Sequence, residues 1–307
     1  MKEIIARVAV LGVVLAACGG TGAVVATVNG TEITAADVEE LYTERVGAIP
    51  AEQFAENLRN TIVEYIVLQQ AETRFGISFT PEEIEARVAE LRSQIEAQSG
   101  GLSYEEFLAE QGFTEERIYR IAHQQLVADA VEEKLLEAEG PISDEELSDR
   151  YDAALMDLTQ ACVSHILVET EDEALDAKAR IEAGESFADV AAEIGTDGTA
   201  ANGGELGCSA LSQYVPEFAL GAYEVPLNQV SEPVRSQFGY HLILVTERTT
   251  TPLEEAEADL RAAAEIERAG RLVQDWLLQV VGEADVSIDE EYGTWVTDPF
   301  PTVQPPA

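Results

Sequence analysis

The sequence predicts an α+β protein in which a small antiparallel sheet with flanking helices is inserted in an all-helical module. Three observations carry this. Capping signals followed by helix-period apolar stripes recur up to residue 155, a β-branched run at 162–168 is answered by a second at 241–246, and helical spacing returns over 253–282.

Before these elements, Lys2 and Arg7 precede an apolar run from Val8 to Ala17 that is too short to span a bilayer, the layout of a signal peptide. The run ends Leu15-Ala16-Ala17-Cys18, which resembles a bacterial lipobox and predicts lipidation of Cys18. Gly19-Gly20-Thr21-Gly22 then reads as a flexible tether. Eighteen Lys and Arg stand against 59 Asp and Glu, a net charge of −41 that opposes phosphate and predicts no nucleic-acid partner. Such acidity fits either basic partners or the solvated surface of a protein working in high salt. Besides Cys18 the chain holds Cys162 and Cys208, an even pair outside the cytoplasm that is expected to join as a disulfide, the alternative being two buried thiols.

In order, Val24–Ile33 reads as a β-ribbon whose Asn29-Gly30 suits a type I′ turn. Thr80-Pro81-Glu82-Glu83 is a capping box with Pro at the first helical position, and Ile84, Val88, Leu91 and Ile95 follow as a buried stripe. Ser103 with Glu106 and Ser143 with Glu146 repeat the capping signal, while Ile118, Ile121, Leu126 and Leu135 stripe a long helix from Thr114. Cys162–Val168 reads as a strand, helices follow at 172–183 and 186–194 ending at Gly184 and Gly195, and His241–Thr246 closes the unit. The apolar helix over 253–282 needs a partner, for which the 34–155 helices are the natural choice, and a Pro-rich tail ends the chain.

A set of short segments recurs in family order: Val163-Ser164-His165-Ile166-Leu167-Val168, Phe187-Ala188-Asp189-Val190-Ala191, Asp197, Asn202-Gly203-Gly204-Glu205-Leu206-Gly207, Val215-Pro216-Glu217-Phe218, Val230-Ser231-Glu232-Pro233-Val234 and Phe238-Gly239-Tyr240-His241. Together they resemble parvulin-type peptidyl-prolyl isomerases of the SurA/PrsA group. The helical layout and Val28-Asn29-Gly30-Thr31-Glu32-Ile33-Thr34 resemble the chaperone part of that group. The resemblance implies a signal peptide at 1–17, lipidated Cys18 and tether at 18–23, a helical chaperone-like domain at 24–158 and an isomerase domain at 159–249. A C-terminal helix at 250–290 would pack on the chaperone-like domain, with the Pro-rich tail at 291–307.

The resemblance also implies residue roles. Leu206, Tyr214, Phe218 and Phe238 match substrate-binding positions, the first three forming an apolar cup for the proline ring or serving simply as core. At Tyr214 the family commonly has Met, so this bulkier ring either narrows the cup or only lines it. His165 and His241 match a hydrogen-bonded imidazole pair, and Ser236 a hydroxyl that supports the second ring, while His123 is incidental. Asp197 falls where some parvulins carry Cys, so no thiolate nucleophile is present. It either weakens amide resonance as a buried carboxylate or caps the turn that follows.

Glu169-Thr170-Glu171-Asp172-Glu173 stands where phosphate-selective parvulins are basic. The expected substrates are therefore unphosphorylated Xaa-Pro bonds in unfolded or nascent exported polypeptides, with no cofactor and no metal, on a membrane held through lipid on Cys18. A holdase that binds clients without catalysis is the alternative.

Overall fold

The computed structural model describes residues 22–39, 50–298 and 300–306, so Cys18 and the apolar run before it lie outside the described residues. The chain divides into two compact units. The first comprises the chain up to Gly140 together with the chain from Arg268 onward, and the second is Pro141–Glu267.

In the first unit, strands β1 (Val24–Val28) and β2 (Thr31–Thr34) form the expected hairpin, turned by Asn29 and Gly30 at φ 48° and 83°. Helix α1 (Ala35–Glu39) follows, then α2 (Ala51–Phe75), which buries Ala55, Leu58, Ile62 and Ile66 at three- and four-residue spacing. Helices α3 (Pro81–Gln98) and α4 (Tyr104–Gln111) both open on full capping boxes, Thr80 with Glu83 and Ser103 with Glu106. Tyr104 and Leu108 are buried with Ile118 of α5 (Glu115–Glu139) in a satellite cluster. The main core joins α2 to β1, β2, Val127 and Val131 of α5, and Trp276, Val280 and Val281 from the second part of α10 (Leu253–Glu283).

The chain beyond α10 differs from the expected tail. Val286–Ile288 (β7) pairs antiparallel with β1, and Thr294–Val296 (β8) pairs with Thr302–Gln304 (β9) as a hairpin. Val303 is 5% exposed in the main core, and Tyr292 meets Phe54 of α2 at 5.5 Å between ring centroids. Apolar side chains on segments three residues long outweigh the Pro-rich composition.

In the second unit, α6 (Asp144–Ala153) leads into a four-stranded antiparallel sheet in the order β4-β3-β6-β5. Its strands are β3 (Thr159–Val168), β4 (Glu205–Ala210), β5 (Val234–Ser236) and β6 (Gly239–Thr250). The period-two alternation of β3 and β6 sorts side chains to two faces. Ala161, Val163, Ile243 and Val245 pack under α9 (Pro216–Glu224), while Ile166, Val168 and Leu242 pack against α7 (Glu171–Glu182) and α8 (Phe187–Ile194). The unit boundaries fall at other residues than expected, because hydrogen bonds draw α6 and the start of α10 into the isomerase unit. Arg261 donates to the Ile142 carbonyl, the Tyr151 hydroxyl to the Thr251 carbonyl and Thr251 N–H to the Leu158 carbonyl, and Arg150 pairs with Glu267 at 2.8 Å.

Candidate active site

The two central strands set the site. His165 faces Ile243 across the β3–β6 ladder and His241 faces Leu167, so the two imidazoles are diagonal neighbours on one face. Their Nδ1 atoms lie 3.1 Å apart and the rings are nearly parallel, at 18°. Both histidines are buried, at 6% and 4% exposure. The loop before β4 approaches from the other side: His165 N–H donates to the Gly204 carbonyl at 2.8 Å. Gly204 has φ +77°, and a Cβ there would stand 2.0 Å from the His165 carbonyl oxygen, so only glycine lets this loop lie against the strand.

A continuous hydrogen-bond chain runs through the pair. Asp197 Oδ2 lies 2.9 Å from His165 Nε2, and Thr199 donates its hydroxyl to the same carboxylate. At the other end Ser236 Oγ lies 2.7 Å from His241 Nε2 and accepts the Phe238 backbone N–H. An ionised carboxylate only accepts, so a neutral His165 presents Nε2–H to Asp197 and a bare Nδ1 to His241. His241 then donates from Nδ1, and Ser236 donates to His241 Nε2. Every polar atom of the chain is paired, with all donors pointing toward Asp197.

Electrostatics supports this order. Burial, reinforced by the charge His165 can carry, pushes the His241 pKa down to about 4 against the weaker pull of Asp197, so this ring is neutral near pH 7. Burial raises the Asp197 carboxyl, but hydrogen bonds from Thr199 and His165 outweigh it and hold the group below its ordinary range. It is ionised.

Phe218 of α9 stands edge-on to both imidazoles, with centroids at 5.5 Å from His165 and 5.1 Å from His241. Tyr214 lies against Phe218 at 4.9 Å, and its hydroxyl accepts from Ser209 Oγ of β4 at 3.0 Å. Leu206, also on β4, is half-buried on the same cluster. The structure thus brings together His165, His241, Ser236, Asp197, Leu206, Tyr214 and Phe218. Phe238 differs: its backbone N–H joins the chain, while the residue is 62% exposed. Cys162 and Cys208 are opposite each other in the β3–β4 ladder and form a disulfide, Cα atoms 3.9 Å apart, on the strand that carries Leu206 and Ser209. Thr199 and Ser209 were not singled out in the sequence. Thr199 had a local signal, the Asp-Gly-Thr turn, whereas Ser209 becomes meaningful only through its contact with Tyr214.

An antiparallel sheet carrying a paired imidazole site against a phenyl ring is the arrangement of a parvulin-type prolyl isomerase. Residues 150–249 match the PPIC-type PPIASE domain family, and residues 3–132 match the SurA-like N-terminal domain family. The foldase protein PrsA of Halalkalibacterium halodurans is 31% identical over 286 residues, covering 91% of this chain and 82% of its own. That of Clostridium acetobutylicum is 33% identical over 229 residues, covering 71% and 67%. The crystal structure of the PrsA peptidylprolyl isomerase of Bacillus cereus superposes with a TM-score of 0.44 at 24% identity, covering 89% of this chain and 96% of that one. The chain belongs to the PrsA foldase family, and it is a peptidyl-prolyl isomerase of the parvulin type.

Proposed function

We propose that the chain catalyses cis/trans exchange at unphosphorylated Xaa-Pro bonds of unfolded exported polypeptides, on the extracytoplasmic face of a membrane to which lipid on Cys18 holds it. The observation that carries the catalytic reading is the buried, fully hydrogen-bonded imidazole pair with Phe218 against both rings. Rotating a prolyl amide must overcome about 18–20 kcal/mol of lost resonance, and no covalent bond has to break. A fully paired relay suits that task, because it can hold neighbouring groups in register.

In this reading Leu206 and Phe218 form the cup that grips the pyrrolidine ring, with Tyr214 against Phe218 at its mouth. Asp197, ionised and partly desolvated, stands beside the amide, where negative potential disfavours charge separation across the planar C–N bond. His165, His241 and Ser236 hold that carboxylate and the Phe238 segment in place. The exposed side chain of Phe238 offers an apolar shelf for residues flanking the proline. Exposed Glu171, Asp172 and Glu173 in the first turn of α7 repel a phosphorylated residue before proline.

Membrane attachment rests on the lipobox-like Leu15-Ala16-Ala17-Cys18, and among the described residues no helix is long and apolar enough to cross a membrane. NMR exchange spectroscopy on an unphosphorylated Xaa-Pro peptide tests the catalytic reading. Added protein should speed exchange, and less so for the phosphorylated peptide. Suppression of client aggregation with no effect on exchange would show a holdase instead. For the anchor, mass spectrometry of the membrane fraction should find a diacylglyceryl-modified Cys18 at the N-terminus.

A further inference from the structure

The cup holds a feature that the isomerase reading does not require. Phe218, whose ring must meet the proline, is 3% exposed, and Tyr214 lies against it at 4.9 Å with the two rings tilted by 47°. The Tyr214 ring is tied at its far end, where Ser209 Oγ donates to its hydroxyl at 3.0 Å. Ser209 directly follows Cys208, whose disulfide to Cys162 fastens the edge strand β4 to the central strand β3. The catch is therefore anchored to the sheet on the side where a free edge would otherwise move.

We propose that Tyr214 is a latched gate over the proline cup: its ring rests on Phe218, the Ser209 hydroxyl holds it there, and substrate proline enters only when that bond opens. This deepens the isomerase reading of the same site and rests on it. The closed ring shields Phe218, and a proline seeking the same ring face must displace it. A protein competent to bind only in its open fraction shows an apparent affinity weakened by that fraction. A neutral hydrogen bond such as Ser209–Tyr214 sets that fraction by about three- to tenfold. The gate thus discriminates between short peptides, which bind through the cup alone, and long clients held elsewhere along their length, whose proline stays at the mouth until the gate opens.

The sign of a mutational effect tests this. Ser209→Ala removes the catch and Tyr214→Phe removes the bolt, both leaving the ring. With the full chain and a short Xaa-Pro peptide, each should raise kcat/KM about three- to tenfold, mainly by lowering KM, and the double variant should match the single ones. Tyr214→Met, which removes the ring as well, should raise it at least as far. If the single variants leave kcat/KM unchanged, the hydroxyl bond is only a structural tie. If they lower it, the tyrosine hydroxyl serves the substrate and the gate is overturned. Folding of each variant is checked by its amide NMR spectrum, and Tyr214→Phe carries the test if Ser209→Ala does not fold. Failure of the wild-type chain to catalyse exchange would refute the isomerase reading itself, a result distinct from active variants that lack the gain.

Discussion

At the residue scale, the site is a line of side chains in which every polar atom has a partner. Phe218 is the residue on which the cup depends, touching both imidazoles and Tyr214. Truncation to Ala would leave a large cavity, so Phe218→Leu, which keeps most of the volume, is the cleaner variant. It should lower kcat/KM about tenfold by losing the aromatic face, with the folded spectrum retained, as read by NMR exchange. If the rate is unchanged, the cup is wrongly placed. A second prediction concerns pH. The unfolded chain protonates His241 at the ordinary value of 6.5, whereas the folded chain resists until about 4. Stability from keeping this ring neutral is complete above pH 6.5 and is lost as pH falls toward 4, roughly 3 kcal/mol in all. Asp197, held low, loses its contribution only below its ordinary 3.8, outside that window. His123 is also lowered by burial and is common to wild type and variant. Denaturation of wild type and His241→Asn at pH 7 and 4.5 therefore isolates His241 as the difference in slope. Parallel profiles would show that its burial is not coupled to folding.

Elements differed in how far they could be read. Helices α3 and α4 were legible because capping boxes and apolar stripes are local signals, and β3 and β6 because long β-branched runs are. Strands β4, β5, β7, β8 and β9 were not. Each is six residues or shorter and owes its extended form to a partner strand. In β4, Gly207 at φ +81° and a register shift after Val163 break the alternation that would mark a strand. The site divides in the same way: the histidines, Phe218 and Asp197 were readable through their motif, while the Ser209–Tyr214 bond spans two elements and leaves no pattern in the chain. The disulfide belongs to this scale as well, since it fastens an edge strand. Its ends are 46 residues apart, so its loss should cost about 4 kcal/mol of loop-closure entropy. Denaturant unfolding with and without a reductant should show the second unit weakened by an amount of that order, while an unchanged midpoint would mean that the strand pairing suffices.

For the whole molecule the leading fact is charge. Among the described residues ion pairs such as Arg180 with Glu185 and Glu193 engage several of the few cations, and the chain as a whole carries a surplus of 41 negative charges whose mutual repulsion opposes the compact state. Raising salt from about 0.05 to 1 M shortens the screening length severalfold, so thermal unfolding should shift upward by several degrees. A flat or falling response would mean that attractive pairs balance the excess.

The first unit is also assembled from two pieces of chain that are far apart in sequence. Its core is closed by Trp276, Val280, Val281 and Val303, and its sheet by β7, all of which come after the complete isomerase unit. A chain that emerges N-terminus first on the far side of a membrane presents the first unit half made, waiting for the last forty residues. The isomerase unit is continuous and has everything it needs once residue 267 has emerged. Its order of completion is thus the reverse of its order of synthesis. A chain halted after Glu267 should give dispersed NMR signals from the isomerase unit and collapsed ones from residues 24–140. The enzyme can therefore be active before the module that begins the chain has folded.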